Sequence, residues 1–321
     1  MFFWGKSLFL KPIRVSAFFV LLFSAVLSST PSAMATTVTV SIPPLAGIVA
    51  PLLGDGDRLN VLLKPGVSPH GFQLRPSHLR TLQNSDLVLF VGGGMDAWIE
   101  KPVQSMKKNA IEMMALLALT RLPVREGGLW QKEAHHNHAH NETDNHIWLS
   151  PSNVVLMVKA VSQRLQILLP NQVQVIQQRE QRWLATLAAT DAQVNQILMP
   201  IKKQPFLVLH DAFQYFEHYY QLKGAGAIRL NPELPPSLKR IHQLRAQIKA
   251  GNVRCVFKEP QFSEKRLQAV ISGLPVRIGT LDPMGRFALS SSSNRFTDYV
   301  RYDTFLKQMA GSLIECLADK K

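Results

Sequence analysis

Residues 171–199 contain neither glycine nor proline, in a chain of 321 residues that holds 18 glycines and 20 prolines. The stretch is rich in Gln, Ala and Leu, which favour helix. One helix over this span would be roughly 40 Å long at about 1.5 Å per residue. That is long enough to run between two lobes; a helix hairpin inside one domain is the alternative. The flanking sequence favours two lobes. Residues 37–42 (TVTVSI), 58–63 and 86–91 read as strands, with short helices at 44–53 and 76–84 between them. An order of β, α, β, α, β implies a parallel sheet with helices packed on it. After residue 199 the pattern restarts, with strands at 205–209, 225–229, 253–258 and 276–280 and helices at 211–221, 237–250, 263–272 and 296–318. Ser150-Pro151 starts a helix, with Ser as cap and Pro in the first turn, and Pro170 ends it. The expected fold is α/β, with two lobes, each a parallel sheet with packed helices, joined by a long rigid helix. The N-terminal lobe covers 36–170, the linking helix 171–199 and the C-terminal lobe 200–321.

The first 35 residues read as an export signal. Lys6, Lys11 and Arg14 precede the apolar run Val15–Leu27, and Ala33-Met34-Ala35 is a small-x-small cleavage pattern. The run is short for a membrane span. Removing these residues takes the formal net charge from +14 to +11. A basic exported chain without an aromatic-interleaved basic motif is not expected to bind nucleic acid. Two cysteines exclude a cysteine-based zinc finger or a disulfide-dense scaffold. Cys255 and Cys316 stand as a disulfide across the last third of the chain or as two buried thiols. A bond there would close a loop contributing about 4 kcal/mol in the chain-entropy model.

Ten histidines are present, and five of them fall in residues 135–146. His70 follows the second strand, His210 directly follows FLVL, and Asp282 follows the strand in GTLDPMG. His146 sits just before the cap at Ser150. Strand ends are where open α/β sheets present ligands. Three imidazoles with a carboxylate or water suit tetrahedral Zn²⁺. A single histidine at a strand end is more often a hydrogen-bonded structural residue, so these positions carry weight only together. The run HHNHAHNETDNH places His135, His136, His138 and His140 in a loop over 133–145, near Glu133, Glu142 and Asp144. Such tracts collect metal weakly, in many arrangements, or are solvated polar loops. No H-E-x-x-H or G-x-S-x-G occurs, so a zinc hydrolase is not expected.

These segments together resemble a known family. VLLKPGVSPHGFQLRPS, NSDLVLFVG, the His-rich loop, HIWLSP, LHDAFQYFE, NPELPP, CVFKEPQF and GTLDPMG follow in the order found in the ZnuA family, the periplasmic zinc-binding receptors of bacterial zinc ABC importers. The likeness covers essentially the whole exported chain. It implies that His70, His146 and His210 are zinc ligands and that Asp282 is the carboxylate near the site. It implies a Cys255–Cys316 disulfide, a monomer in the periplasm, and a membrane permease as partner. It implies that the protein is not an enzyme. One position departs: related zinc receptors often carry an acidic residue just before the first ligand histidine, where this chain has Pro69. That leaves Asp282, water or a loop histidine for the fourth position. Related manganese receptors have a carboxylate where this chain has His210, so a manganese or iron receptor is the alternative that the third imidazole disfavours. Glu259 and Asp211 are candidates to orient a ligand ring. Trp148 and Phe72 are candidates to shield the site or to fill the core.

Overall fold

Eight strands appear among the described residues of the computed structural model, namely 1, 2, 4, 5, 35–126, 128–130, 143–229, 236–263, 265–285 and 299–319. The accessory histidines 135, 136, 138 and 140 and most of the expected signal lie outside them. No helix among the described residues is long and apolar enough to cross a membrane. Residues 34–321 pack as one unit.

The first half of that unit runs β1 (Thr37–Val40), α1 (Pro43–Val49), β2 (Arg58–Val61), α2 (Pro76–Gln83), β3 (Leu87–Phe90), α3 (Ala97–Ser105), β4 (Ala110–Glu112) and α4 (Pro151–Leu168). Then come α5 (Val173–Leu198), β5 (Phe206–His210), α6 (Gln214–Tyr220), β6 (Gly224–Arg229), α7 (Leu238–Lys249), β7 (Cys255–Lys258), α8 (Lys265–Ile271), β8 (Arg277–Thr280) and α9 (Tyr302–Leu317). The strands form two all-parallel sheets, ordered β2-β1-β3-β4 and β6-β5-β7-β8. The two-lobe α/β expectation therefore holds. The sequence pattern marks neither α3 nor β4. Pro102 interrupts the hydrogen bonding of α3, and β4 is three residues long, too short for alternation to register.

The expected linking helix is α5. Its buried stripe, Ile176, Trp183, Leu187, Thr190, Val194 and Leu198, recurs at helical spacing. It touches both halves. The Trp183 indole donates to the Ile48 carbonyl at 2.9 Å. The Tyr219 and Tyr220 hydroxyls of α6 both donate to Asp191, at 2.9 and 2.7 Å. One apolar core runs through β1, α4, α5, β5 and α9 without a break between the lobes. Ser150 caps α4 as expected, its hydroxyl accepting from the Asn153 amide at 3.4 Å, with Pro151 next. Cys255 of β7 and Cys316 of α9 are joined by a disulfide, their Cα atoms 6.1 Å apart.

Candidate metal centre

Both sheets reverse strand order beside their first strand, between β1 and β3 and between β5 and β7. Open parallel sheets bind ligands beyond the strand carboxyl ends at such points. His210 is the last residue of β5, and Glu259 follows β7, so the two are neighbours across the second reversal. Glu259 is buried, and its carboxylate lies 2.8 and 2.9 Å from His210 Nδ1 and accepts from the His210 amide at 3.2 Å. With Nδ1–H donating to that carboxylate, the Nε2 lone pair faces the cleft.

His146 is fixed the same way by a residue the sequence did not single out for this task. Its Nδ1 lies 2.7 Å from Asp144 Oδ1, which also accepts from the His146 amide at 3.0 Å. The signal was the Asp-x-His spacing, which cannot be told from an ordinary loop without the turn that closes it. Asp211, the other sequence candidate for this work, pairs instead with Arg125.

His70 comes from the loop after β2. The Trp98 indole of α3 donates to the Pro69 carbonyl at 3.2 Å, and Phe72 packs on Trp98 at 4.7 Å between ring centroids. These contacts anchor the loop so that the His70 ring meets the other two. Ring centroids are 5.9 Å from His70 to His146, 5.5 Å from His70 to His210 and 5.2 Å from His146 to His210. One nitrogen from each of the three lies within 4.8 Å of the others. His146 Nε2 and His210 Nε2 are 3.3 Å apart.

Pro69, Phe262, Pro283 and Met284 form the apolar wall, with Gln261 and Ser68 beside them. Trp148 and Phe72 do not line the cavity. Trp148 is fully buried and donates to the Pro283 carbonyl at 2.9 Å, while its own carbonyl accepts from the Tyr302 hydroxyl at 2.7 Å. The cavity is about 10 Å³, room for about one water-sized guest. Asp282 is buried close by, but its oxygens are not among the clustered ligand atoms. Its Oδ1 accepts from Gln261 Nε2 at 2.5 Å and from the Met284 amide at 2.9 Å.

The charges of the rings differ in origin. Burial of His210 disfavours its proton, but Glu259, with Asp211 and Asp144 further off, outweighs that and holds its pKa above the ordinary 6.5. His70 keeps an exposed edge, yet its ring is crowded by protein. That desolvation, and then the charges His210 and His146 would carry, push its pKa far below 6.5. Three imidazoles converge on one small space, two of them oriented by carboxylates; such a set can hold a single divalent cation.

The family model "ZnuA: Zinc-uptake complex component A periplasmic" matches residues 38–316. The high-affinity zinc uptake system protein ZnuA of Yersinia pestis is 34% identical over 314 residues, covering 92% of this chain and 96% of that protein. The protein of the same description from Haemophilus ducreyi is 30% identical over 312 residues, covering 91% and 96%. A crystal structure of ZnuA superposes with a TM-score of 0.74 at 23% identity, covering 88% of this chain and 100% of that one. The periplasmic zinc binding protein TroA from Treponema pallidum gives 0.73 at 22% identity, covering 89% and 100%. FpvC from Pseudomonas aeruginosa, solved in complex with Mn²⁺, gives 0.71 at 17% identity, covering 88% and 98%. The last shows that the fold alone does not choose the metal. The structural likenesses establish the fold, and the family match over residues 38–316 establishes more: this protein belongs to the ZnuA family of zinc-uptake complex components.

Proposed function

We propose that this protein captures Zn²⁺ in the periplasm with His70, His146 and His210 and delivers it to the membrane permease of a zinc ABC transporter. One observation carries the reading: the 3.3 Å between His146 Nε2 and His210 Nε2. Two imidazole nitrogens at about 2.0–2.1 Å from a tetrahedral Zn²⁺ stand about 3.3–3.4 Å from each other. Two aligned lone pairs at that separation repel unless a cation or a shared proton lies between them. Three imidazoles also favour zinc over the harder Mn²⁺, which prefers carboxylate. Asp282 is the fourth ligand in this reading, its carboxylate exchanging the contact with Gln261 for the metal. His135, His136, His138 and His140 serve as an accessory collector. A cavity of about 10 Å³ has no room for a molecular substrate beside the metal, which favours a receptor over an enzyme.

Calorimetric titration of metal-free protein, with and without residues 133–145, tests this. One tight zinc site is expected to survive the deletion, and weaker sites are expected to vanish with it. Absence of a tight site, or displacement of Zn²⁺ by equimolar Mn²⁺, would overturn the reading.

The pH dependence follows from the ligand environments. Metal binds the deprotonated ring, so affinity is full above the His210 pKa and falls as pH drops through it. Glu259 places that pKa above 6.5, so the decline begins above 6.5. Below it, His210 alone costs about tenfold in affinity per pH unit. His70 adds no proton of its own in this range, because its pKa lies far lower. Dissociation constants measured from pH 8 to 5.5 check this; a flat profile between 8 and 6 would contradict it.

A further inference from the structure

Building on the zinc reading, we propose that residues 122–126 and 128–130 strap the two lobes together and that Arg125 on this strap is a positioning residue for His210. After β4 the chain leaves the first sheet. The two stems of the His-rich segment meet there: Pro123 bridges Thr143, and the Asp144 amide donates to the Leu122 carbonyl at 2.9 Å. Both stems are held by one hydroxyl from α6. Tyr215 accepts from the Leu122 amide at 3.0 Å and donates to the Asp144 carbonyl at 2.8 Å.

Arg125 then reaches into the second lobe. Its Nε lies 3.1 Å from each oxygen of Asp211, its Nη2 also bonds Asp211, and its Nη1 meets Glu217 Oε2 at 2.5 Å. The Trp130 ring packs against the guanidinium, with Cζ 3.4 Å from the centroid. All three charged side chains are largely buried, at 17%, 8% and 5% exposure for Arg125, Asp211 and Glu217. One cation thus serves two buried carboxylates, and burial pushes the Glu217 pKa up against the pull of Arg125. Further along, Arg240 bonds the Leu129 carbonyl. A Cβ at Gly226 would stand 2.4 Å from Leu129 Cβ, so glycine in β6 is what lets the strap lie on this edge strand.

Asp211 is the residue after His210. The ring of His210 is held by Glu259, and its chain neighbour is held by Arg125 from another direction. The stem paired with it carries Asp144, which orients His146. The paired stems therefore act together on two proposed ligands that belong to different lobes. Without Arg125, Asp211 and Glu217 face each other unpaired in a poorly solvated space, and the end of β5 must move to hydrate them.

The test uses the full exported protein as wild type, Arg125→Ala, Arg125→Lys and Gly226→Ala. Two quantities are read: the visible spectrum of the Co²⁺-loaded site, which reports ligand geometry, and the rate of Zn²⁺ release to a chelator in stopped flow. Arg125→Ala is expected to change the Co²⁺ bands and release Zn²⁺ at least about tenfold faster. Arg125→Lys should recover only part of this, because a point charge cannot replace the planar fork. Gly226→Ala, which displaces the strap without removing a charge, should speed release at least about threefold. If Arg125→Ala folds and its spectrum and release rate match wild type within twofold, Arg125 is a stability residue only and the positioning role is refuted. If Arg125→Ala does not fold, a wild-type spectrum and rate in Gly226→Ala refute that role equally. If wild type itself takes up neither Zn²⁺ nor Co²⁺ tightly, the zinc reading has failed instead.

Discussion

His210→Ala is expected to weaken zinc binding at least about a thousandfold, equivalent to about 4 kcal/mol. Two effects add. The first is loss of one of three imidazoles from a site whose cavity holds a single guest, so water must fill the missing position and cannot match the nitrogen donor. The second is the fate of Glu259. That carboxylate is buried and accepts from the His210 ring. Without the ring, its charge is left without its main donor, a state that costs about 1–3 kcal/mol. The metal-free variant should therefore melt several degrees lower than wild type while keeping its fold. Competition against a chelator of known affinity measures the first effect, and thermal unfolding the second. A loss in affinity under tenfold would show that the metal is held elsewhere.

The double substitution Cys255→Ser, Cys316→Ser is expected to lower stability by about 4 kcal/mol. The two residues are 61 positions apart, and the entropy removed from the unfolded chain by closing such a loop gives this size. For a chain of this length 1 kcal/mol corresponds to roughly 2–4 °C, so the melting temperature should fall by about 10 °C. Zinc affinity should change less than about threefold, because Cys255 lies at the start of β7 and Glu259 beyond its other end. Thermal unfolding of metal-free wild type and variant in one buffer decides it; a drop under 2 °C would show that packing of α9 on the sheet already does what the bond does.

The architecture was legible where local rules act alone. The linking helix is visible in the absence of Gly and Pro from 171–199, and the cap at Ser150 needs only four residues to form. Strands buried on both faces, such as Phe206–His210, show as unbroken apolar runs. The centre was legible only in part. His70, His146 and His210 were placed together by a resemblance, because their spacing of 76 and 64 residues carries no periodic signal. Which carboxylate orients which ring is decided by strand order: β5 and β7 are adjacent, so Glu259 reaches His210 and leaves Asp211 for Arg125. Of the two roles open to Trp148 and Phe72, both residues pack into the core, and Phe262 and Met284 line the cavity instead. Asp282 follows a strand as expected, but the direction of its carboxylate depends on Gln261, a contact no local pattern encodes.

The unbroken core between the lobes has a kinetic meaning. Parting the lobes would expose apolar surface along α4, α5 and α9 and break the bonds that Trp148 makes with Pro283 and Tyr302. Thermal hinge opening is therefore a poor route for cargo to escape. His70 is the exposed member of the trio, on a loop pinned mainly through Pro69 and Trp98. A bound ion would leave past that one ring, slowly, unless another protein grips the loop. Timing of release would then belong to the docking event rather than to the receptor.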